Sequence, residues 1–169
     1  MVSGMNLIAA VTSNWGIGKD NSLLLSIPDD MRFFREKTRG AAVIMGRKTL
    51  ESFPGGNPLK GRVNIVLTNN RSFKKDGAIC VSCADEAIAQ AEKTGRPVFV
   101  IGGESIYRLL LPCCEKAYIT KMQTVLPADS FFPNLDEDPD WSVFETGDEM
   151  EYEGVKYSFV TYINNNVKE

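Results

Sequence analysis

Chemistry in this chain has to proceed without histidine, because its 169 residues contain none. Histidine triads, histidine-held metals and histidine general bases are excluded, so proton transfer falls to carboxylates, tyrosine, lysine or water. The first candidate lies in Pro28-Asp29-Asp30-Met31-Arg32-Phe33-Phe34. Read as a helix, this run sets Asp30, Phe34 and Thr38 on one face at spacing four, with Met31 and Phe34 core-like beside them. A carboxylate at the border of an apolar pocket is costly unless it is paired or used, which singles out Asp30. Asp29, in this reading, faces water and aids the helix N-terminus.

Two further runs could hold an anion. In Gly46-Arg47-Lys48-Thr49 a strand meets a helix start, and free N–H groups, a hydroxyl and two cations make a phosphate cradle. The alternative is a solvated turn with Thr49 as helix cap. In Ile101-Gly102-Gly103-Glu104-Ser105 two glycines let the backbone approach a ligand closely, or form only a tight turn. Cys80-Val-Ser-Cys83 has the spacing of a metal knuckle or redox pair, but the other two cysteines, Cys113 and Cys114, are adjacent. Ser82 reads as a helix cap with Asp85 at the third helical position, so Cys80 ends a strand and Cys83 enters a helix. Buried, reduced thiols and no metal are expected.

These residues must be positioned by an alternation of strands and helices. Met5–Val11, Ala41–Met45, Val63–Leu67, Ala78–Val81, Pro97–Ile101 and Lys116–Met122 are short apolar runs, as strands covered on both faces would be. Helices are expected at 28–38 behind Pro28, at Thr49–Phe53, at about Cys83–Thr94 and at Glu104–Leu111. Thr12–Asp20 reads as turns and Pro54–Gly61 as a loop. Strands near Trp141–Thr146 and Val155–Asn164 close the chain, the last alternating like an edge hairpin. The expectation is one α/β domain over residues 1–169. Its central, mostly parallel eight-stranded sheet carries an antiparallel C-terminal strand and is flanked by about four helices.

Composition narrows the partners. Hydrophobic residues make up 43% and charged ones 24%, ordinary globular usage. A formal charge of -3 argues against nucleic-acid binding, which needs a basic footprint. No apolar run exceeds about five residues, against ~20 to span a bilayer. The N-terminus has no Lys or Arg before its apolar stretch, so no secretory leader is expected and the chain is placed in the cytoplasm.

Taken together, the segments resemble dihydrofolate reductase of the single-domain bacterial type. The likeness runs in order through Leu7-Ile-Ala-Ala, Trp15-Gly-Ile-Gly18, Ile27-Pro-Asp-Asp-Met31, Val43-Ile-Met-Gly-Arg-Lys-Thr49 and Glu51-Ser52. It continues through Leu59 to Arg62, Asn64-Ile-Val-Leu-Thr68, Ile101-Gly-Gly-Glu-Ser-Ile-Tyr107 and Asp129 to Pro133. It implies an NADPH-dependent oxidoreductase: hydride passes to C6 of 7,8-dihydrofolate while N5 gains a proton, giving tetrahydrofolate. By the same resemblance Asp30 is the pocket carboxylate that holds the pterin, and Thr120 is the hydroxyl paired with it. Ile8, Ala10, Leu25, Met31, Phe34, Phe53, Leu59 and Ile101 line the substrate site. Arg62 grips the α-carboxylate of the substrate tail, and Tyr107 lies between pterin and nicotinamide.

For NADPH the resemblance implies Ala10, Ile17 and Gly18, then Gly46 with Arg47, Lys48 and Thr49 at the phosphates. It adds Thr68 and Asn69 on the adenosine side, and Gly102 to Tyr107 (Gly103, Glu104, Ser105 and Ile106 included) at the nicotinamide and pyrophosphate. It also implies a cis Gly102–Gly103 bond, a mobile loop from Thr12 to Ile27 and a monomer. One departure stands out: many bacterial members carry Pro-Trp where this chain has Leu24-Leu25, so an indole donor near the pterin is missing. The competing readings are a riboflavin-pathway pyrimidine reductase of similar fold and a non-catalytic nucleotide-binding protein.

Overall fold

Five consecutive buried residues, Ala41 to Met45, require a sheet covered on both faces. The computed structural model of the protein describes residues 4–168 and supplies that sheet. Residues 1–3 and 169, the ends of the expected domain and part of the Met1–Val11 stretch, lie outside the described residues. In chain order the strands are β1 (Met5–Val11), β2 (Gly16–Lys19), β3 (Ser22–Leu23), β4 (Ala42–Gly46), β5 (Val63–Leu67), β6 (Ala78–Val81), β7 (Val98–Gly102), β8 (Lys116–Met122), β9 (Ser130–Phe131), β10 (Trp141–Thr146), β11 (Met150–Tyr152) and β12 (Val155–Asn164). The helices are α1 (Pro28–Thr38), α2 (Arg47–Ser52), α3 (Ala84–Lys93) and α4 (Glu104–Leu110).

The main sheet runs β10-β12-β8-β1-β7-β4-β5-β6, with β11 paired to β12 off this path. Pairs from β8 through β1, β7, β4 and β5 to β6 are parallel, while β12 lies antiparallel to β8 and β10. The α/β architecture expected from the sequence is thus present, with its eight strands and four helices.

Side chains alternate between two cores, one on each sheet face. Leu7, Ile44 and Val100 belong to the core that packs against α3 and α4. Their neighbours Ile8, Val43, Met45, Phe99 and Ile101 belong to the other, where Phe33 and Phe34 of α1 and Leu50 of α2 close over the sheet. Fully burying a chain such as Ile44 or Met45 contributes ~1.5–3 kcal/mol. The second face is the one on which the site is built.

Several expectations are corrected. The stretch read as turns, Thr12–Asp20, holds β2, which with β3 and β9 forms a separate three-stranded sheet. These strands are two to four residues long, too short for a period to show. β12 is second from the edge, with β10 outside it, so Tyr157, Val160 and Tyr162 are all buried. The cap of α2 is Gly46, not Thr49, and α3 starts from an extended Cys83, not from Ser82. Ser82 instead donates its N–H and hydroxyl to Glu86 one turn on. All four cysteines are free thiols, but only Cys114 is buried and Cys83 is exposed.

Candidate active site

Helix α1 brings Asp30 to the sheet. Its cap residue is Ile27, whose side chain gives no capping bond, Pro28 occupies the first turn, and Asp29 and Asp30 follow at the positive end of the helix dipole. Across from it, β1 and β8 pair in parallel with Ala10 opposite Thr120. Thr120, 1% exposed, donates its hydroxyl to Asp30 Oδ1 at 2.5 Å. Burial pushes the Asp30 carboxyl above its ordinary value, and the Thr120 bond only partly opposes this. Asp30 Oδ2 has no protein donor among the described residues, so the carboxylate keeps an acceptor for a ligand.

The surrounding wall is apolar. Ile8 and Ile101 present the sheet, and Phe34, Phe53 and Leu59 pack against the same core. Leu25 and Ala10 pack on a neighbouring cluster formed by Ile27, Met122 and Tyr157. Met31, expected to be core-like, is 44% exposed, as suits a side chain at the rim of a cleft. Leu59 is fixed by Asn64, which accepts its N–H and donates to its carbonyl, both at 2.9 Å. Arg62 donates from Nε to the Thr38 hydroxyl, from Nη1 to the Lys60 carbonyl and from Nη2 to the Arg35 carbonyl. The guanidinium is thereby oriented at the end of α1, with Nη protons to spare. Burial, then Arg39 and Arg35, lower its proton affinity, so three cations gather where an anionic tail would lie.

The cofactor candidates divide. Gly46 lies against α4: a Cβ there would sit 3.1 Å from Ile106 Cγ1, so the backbone must stay bare. Gly102–Gly103 is a cis peptide, and Gly102 takes φ +125 with Thr49 Oγ1 and the Tyr107 ring close by. The first N–H groups of α4, from Glu104 to Ile106, open beside that turn. Arg47 stacks over the Phe73 ring at 4.3 Å and pairs with Glu51. Phe73 in turn lines a recess of about 270 Å³ with Thr68, Asn70, Arg71, Cys80, Val81, Ser82 and Glu86.

Other expected contacts are corrected. Tyr107 is 4% exposed, and its hydroxyl donates to the Ile8 carbonyl at 2.7 Å. Burial raises its phenol's proton affinity, Asp30 adding to the effect, and the ring lies beside Gly102. The Glu104 carboxylate accepts the Phe131 N–H at 2.6 Å and pairs with Arg108. Ile106 is buried against Gly46, so neither side chain is free to meet a ligand. Gly18 answers to packing, since a Cβ would meet Ser130 Oγ at 2.9 Å and the Ser22 carbonyl at 3.0 Å. Asn69 is exposed and lies outside the recess, whereas Asn70 and Arg71 line it. Lys48 is exposed, and its carbonyl accepts from Asn21 at 2.9 Å. Ile17, on β2, packs against the core that holds Leu7 and Val100, and Ser105 lies on the first turn of α4.

Asp29 does not simply face water. It accepts the Tyr157 hydroxyl at 3.0 Å and pairs with Arg32. Arg35, Arg39, Asn64 and Tyr157 are site neighbours outside the sequence expectations. For Arg35 and Arg39 the spacing of four on α1 was the available signal. Tyr157 and Asn64 gave none, because their partners are fixed by sheet register.

Comparison with known proteins bears on this geometry. A family model described as dihydrofolate reductase matches residues 4–164. The dihydrofolate reductase of Haemophilus influenzae is 39% identical over 138 residues, 82% of this chain and 83% of its own. The bifunctional dihydrofolate reductase-thymidylate synthase of Glycine max is 37% identical over 93% of this chain, which spans only 33% of that protein's length. A solved dihydrofolate reductase from Enterococcus faecalis, complexed with NADP(H) and RAB-propyl, superposes with a TM-score of 0.85. It shares 32% identity and covers 95% of this chain and 96% of its own. The family model spans the segments that carry Asp30, Arg62 and the two Gly turns, and with these relatives it shows that the chain belongs to the dihydrofolate reductase family.

Proposed function

We propose that this chain reduces 7,8-dihydrofolate to 5,6,7,8-tetrahydrofolate with NADPH, and that Asp30 is its acid–base centre. The observation that carries the reading is the Asp30–Thr120 pair at the edge of an apolar wall. A carboxylate offers two acceptors to the adjacent N–H donors of a pterin, and its charge favours the protonated ring. With no histidine in the chain, the proton for N5 arrives through water. Ile8, Ile101, Phe34, Phe53, Leu59 and Met31 enclose the aromatic parts of the substrate. Arg62 holds the tail carboxylate, with Arg35 and Arg39 adding to the local positive field.

The residues present fit NADPH. Gly102 keeps its φ only as glycine, the N–H groups from Glu104 to Ile106 have no helical partner, and the recess at Thr68 carries Arg71 and borders Arg47 through Phe73. When bound, the cofactor supplies the hydride. Gly46, Thr49 and the free N–H groups of α4 bind its pyrophosphate, and Arg47 with Arg71 the 2′-phosphate. Leu25 and the β2–β3 segment exclude water from the reacting rings.

The same reading takes the chain as a monomer acting in the cytoplasm without nucleic acid, which its acidic balance supports. No helix among the described residues is long and apolar enough to cross a membrane. Mixing the protein with NADPH and dihydrofolate and following NADPH absorbance tests the reaction. Oxidation that depends on dihydrofolate is the expected result, and its absence would sink both the reductase reading and the role of Asp30.

A further inference from the structure

The catalytic carboxylate sits on a helix turn that its own end does not secure. No side chain caps α1, Pro28 brings no N–H, and the helix residue that is fully buried, Thr38, lies at the far end. A single bond from Thr120 to Asp30 would leave the first turn free to roll about that contact. The adjacent residue removes this freedom. Asp29 Oδ2 accepts the hydroxyl of Tyr157 at 3.0 Å, while Asp29 Oδ1 pairs with Arg32 at 3.2 Å within the helix.

The two donors come from neighbouring strands in a fixed register. Thr120 faces Phe159 and Met122 faces Tyr157, so both hydroxyls lie on the β8–β12 ladder two positions apart. Successive helix residues point about 100° apart, so bonds to Asp29 and Asp30 restrain the turn from two directions. The Tyr157 ring is itself closely packed. It is 2% exposed, packed with Ile27 and Met122, and meets Phe159 edge-on at 6.0 Å, which stacks on Phe33 of α1 at 4.5 Å.

We propose that Tyr157 is a positioning residue for the reaction, holding the first turn of α1 through Asp29 so that Asp30 meets the substrate in register. The inference rests on the assignment of Asp30 as the acid–base centre. It concerns geometry, so it separates the rate of the chemical step from ligand binding.

The test is single-turnover hydride transfer with NADPH and dihydrofolate, beside KM values and thermal melting. Y157F should slow hydride transfer about tenfold, in line with the cost of a small misplacement, and leave both KM values within about twofold. D29A should lose the same factor. D29N, whose amide oxygen accepts the same O–H, should restore the rate relative to D29A. The Y157F/D29A double variant should be no slower than either single one, as for two halves of one contact. A Y157F rate within about twofold of wild type overturns the proposal. So do additive losses in the double variant, or a D29N enzyme as slow as D29A. If Y157F melts too early to assay, the D29A and D29N pair decides alone. Wild-type turnover and the loss in D30N, measured first, test the reaction and the role of Asp30 separately.

Discussion

Asp30 is held where ionisation is unfavourable, and this couples activity to stability with opposite signs. Burial raises its pKa in the folded state, so between the ordinary value and the raised one the native protein binds more protons than the unfolded chain. Stability from this group is therefore highest at low pH and declines as pH rises through the folded pKa. Asp30→Asn keeps the acceptor for Thr120 and removes the buried charge. Turnover should fall by roughly 10²–10⁴, the usual worth of one acid–base group, and the loss should shrink at low pH where solution protonates the substrate. In calorimetry near neutral pH the variant should melt higher, by about 1 kcal/mol or ~2–4 °C. A variant that is inactive and also less stable would show Asp30 to be structural.

Arg47 gives a second test at this scale. Its guanidinium is already oriented by Phe73 and Glu51, so a 2′-phosphate adds a charge-assisted contact worth ~1.5–3 kcal/mol without new ordering. Arg47→Ala should weaken NADPH about 10–150-fold and NADH little, as binding titrations would show. Equal losses would move Arg47 to the pyrophosphate. Asp30 and Arg47 stand inside runs whose residue types mark them, whereas Thr120 and Arg62 are named only through the family resemblance. The sequence does not reveal that Glu104 and Ile106 turn away, since which side of a helix faces a ligand is decided by what packs behind it.

Among the elements, the segment from β2 to β3 is tied at its tip by two bonds. Asp129 accepts the Asp20 N–H at 2.9 Å, and Asn21 reaches across the cleft to the Lys48 carbonyl at 2.9 Å. Both contacts are exposed, the kind that opens at little cost. The Asn21 bond joins this segment, the proposed lid, to the turn proposed to hold the cofactor phosphates. Asn21→Ala should raise the NADPH dissociation rate by about 2–10-fold, one ordinary hydrogen bond, with little change in hydride transfer. Unchanged dissociation in stopped-flow competition would show that the bond forms without holding the lid. The long parallel strands were legible in the sequence as apolar runs. β2, β3 and β9 were not, because glycines there serve close packing at Gly16 and Gly18 and look like turn signals.

At the scale of the molecule, ionisable groups far from the site act against the trend set by Asp30. Asp136 is partly buried, which alone would raise its pKa, but bonds from Lys121 and Tyr162 outweigh this and lower it. Its contribution is present above the ordinary carboxylate value and is lost as pH falls through the folded one. Lys121 stays over the Trp15 ring at 5.1 Å, so the same pair also holds the turn before β2. The pair is half exposed and screened, so Asp136→Asn should cost no more than ~1 kcal/mol at pH 7. That cost should shrink as pH falls below the ordinary carboxylate value, which melting curves carried from neutral into acid pH would show. A loss that persists in acid would assign the effect to packing around Tyr162.

The alternation of Leu7 with Ile8, and of Val100 with Ile101, between the two cores carries a genetic consequence. Within β1, β4 and β7 every residue is committed to one face, and the ligand wall is read out on every second codon. Removing a single codon there would exchange the faces downstream of the lesion, turning the wall of the cleft into core and core into wall. No compensating point mutation nearby could restore it, whereas a second one-codon insertion in the same strand could. A library of single-codon deletions should therefore show dead zones over 5–11, 42–46 and 98–102, with suppressors that are insertions in the same strand. Between β10 and β11, where residues 147–149 are exposed and lie outside the site, the same deletions should be tolerated.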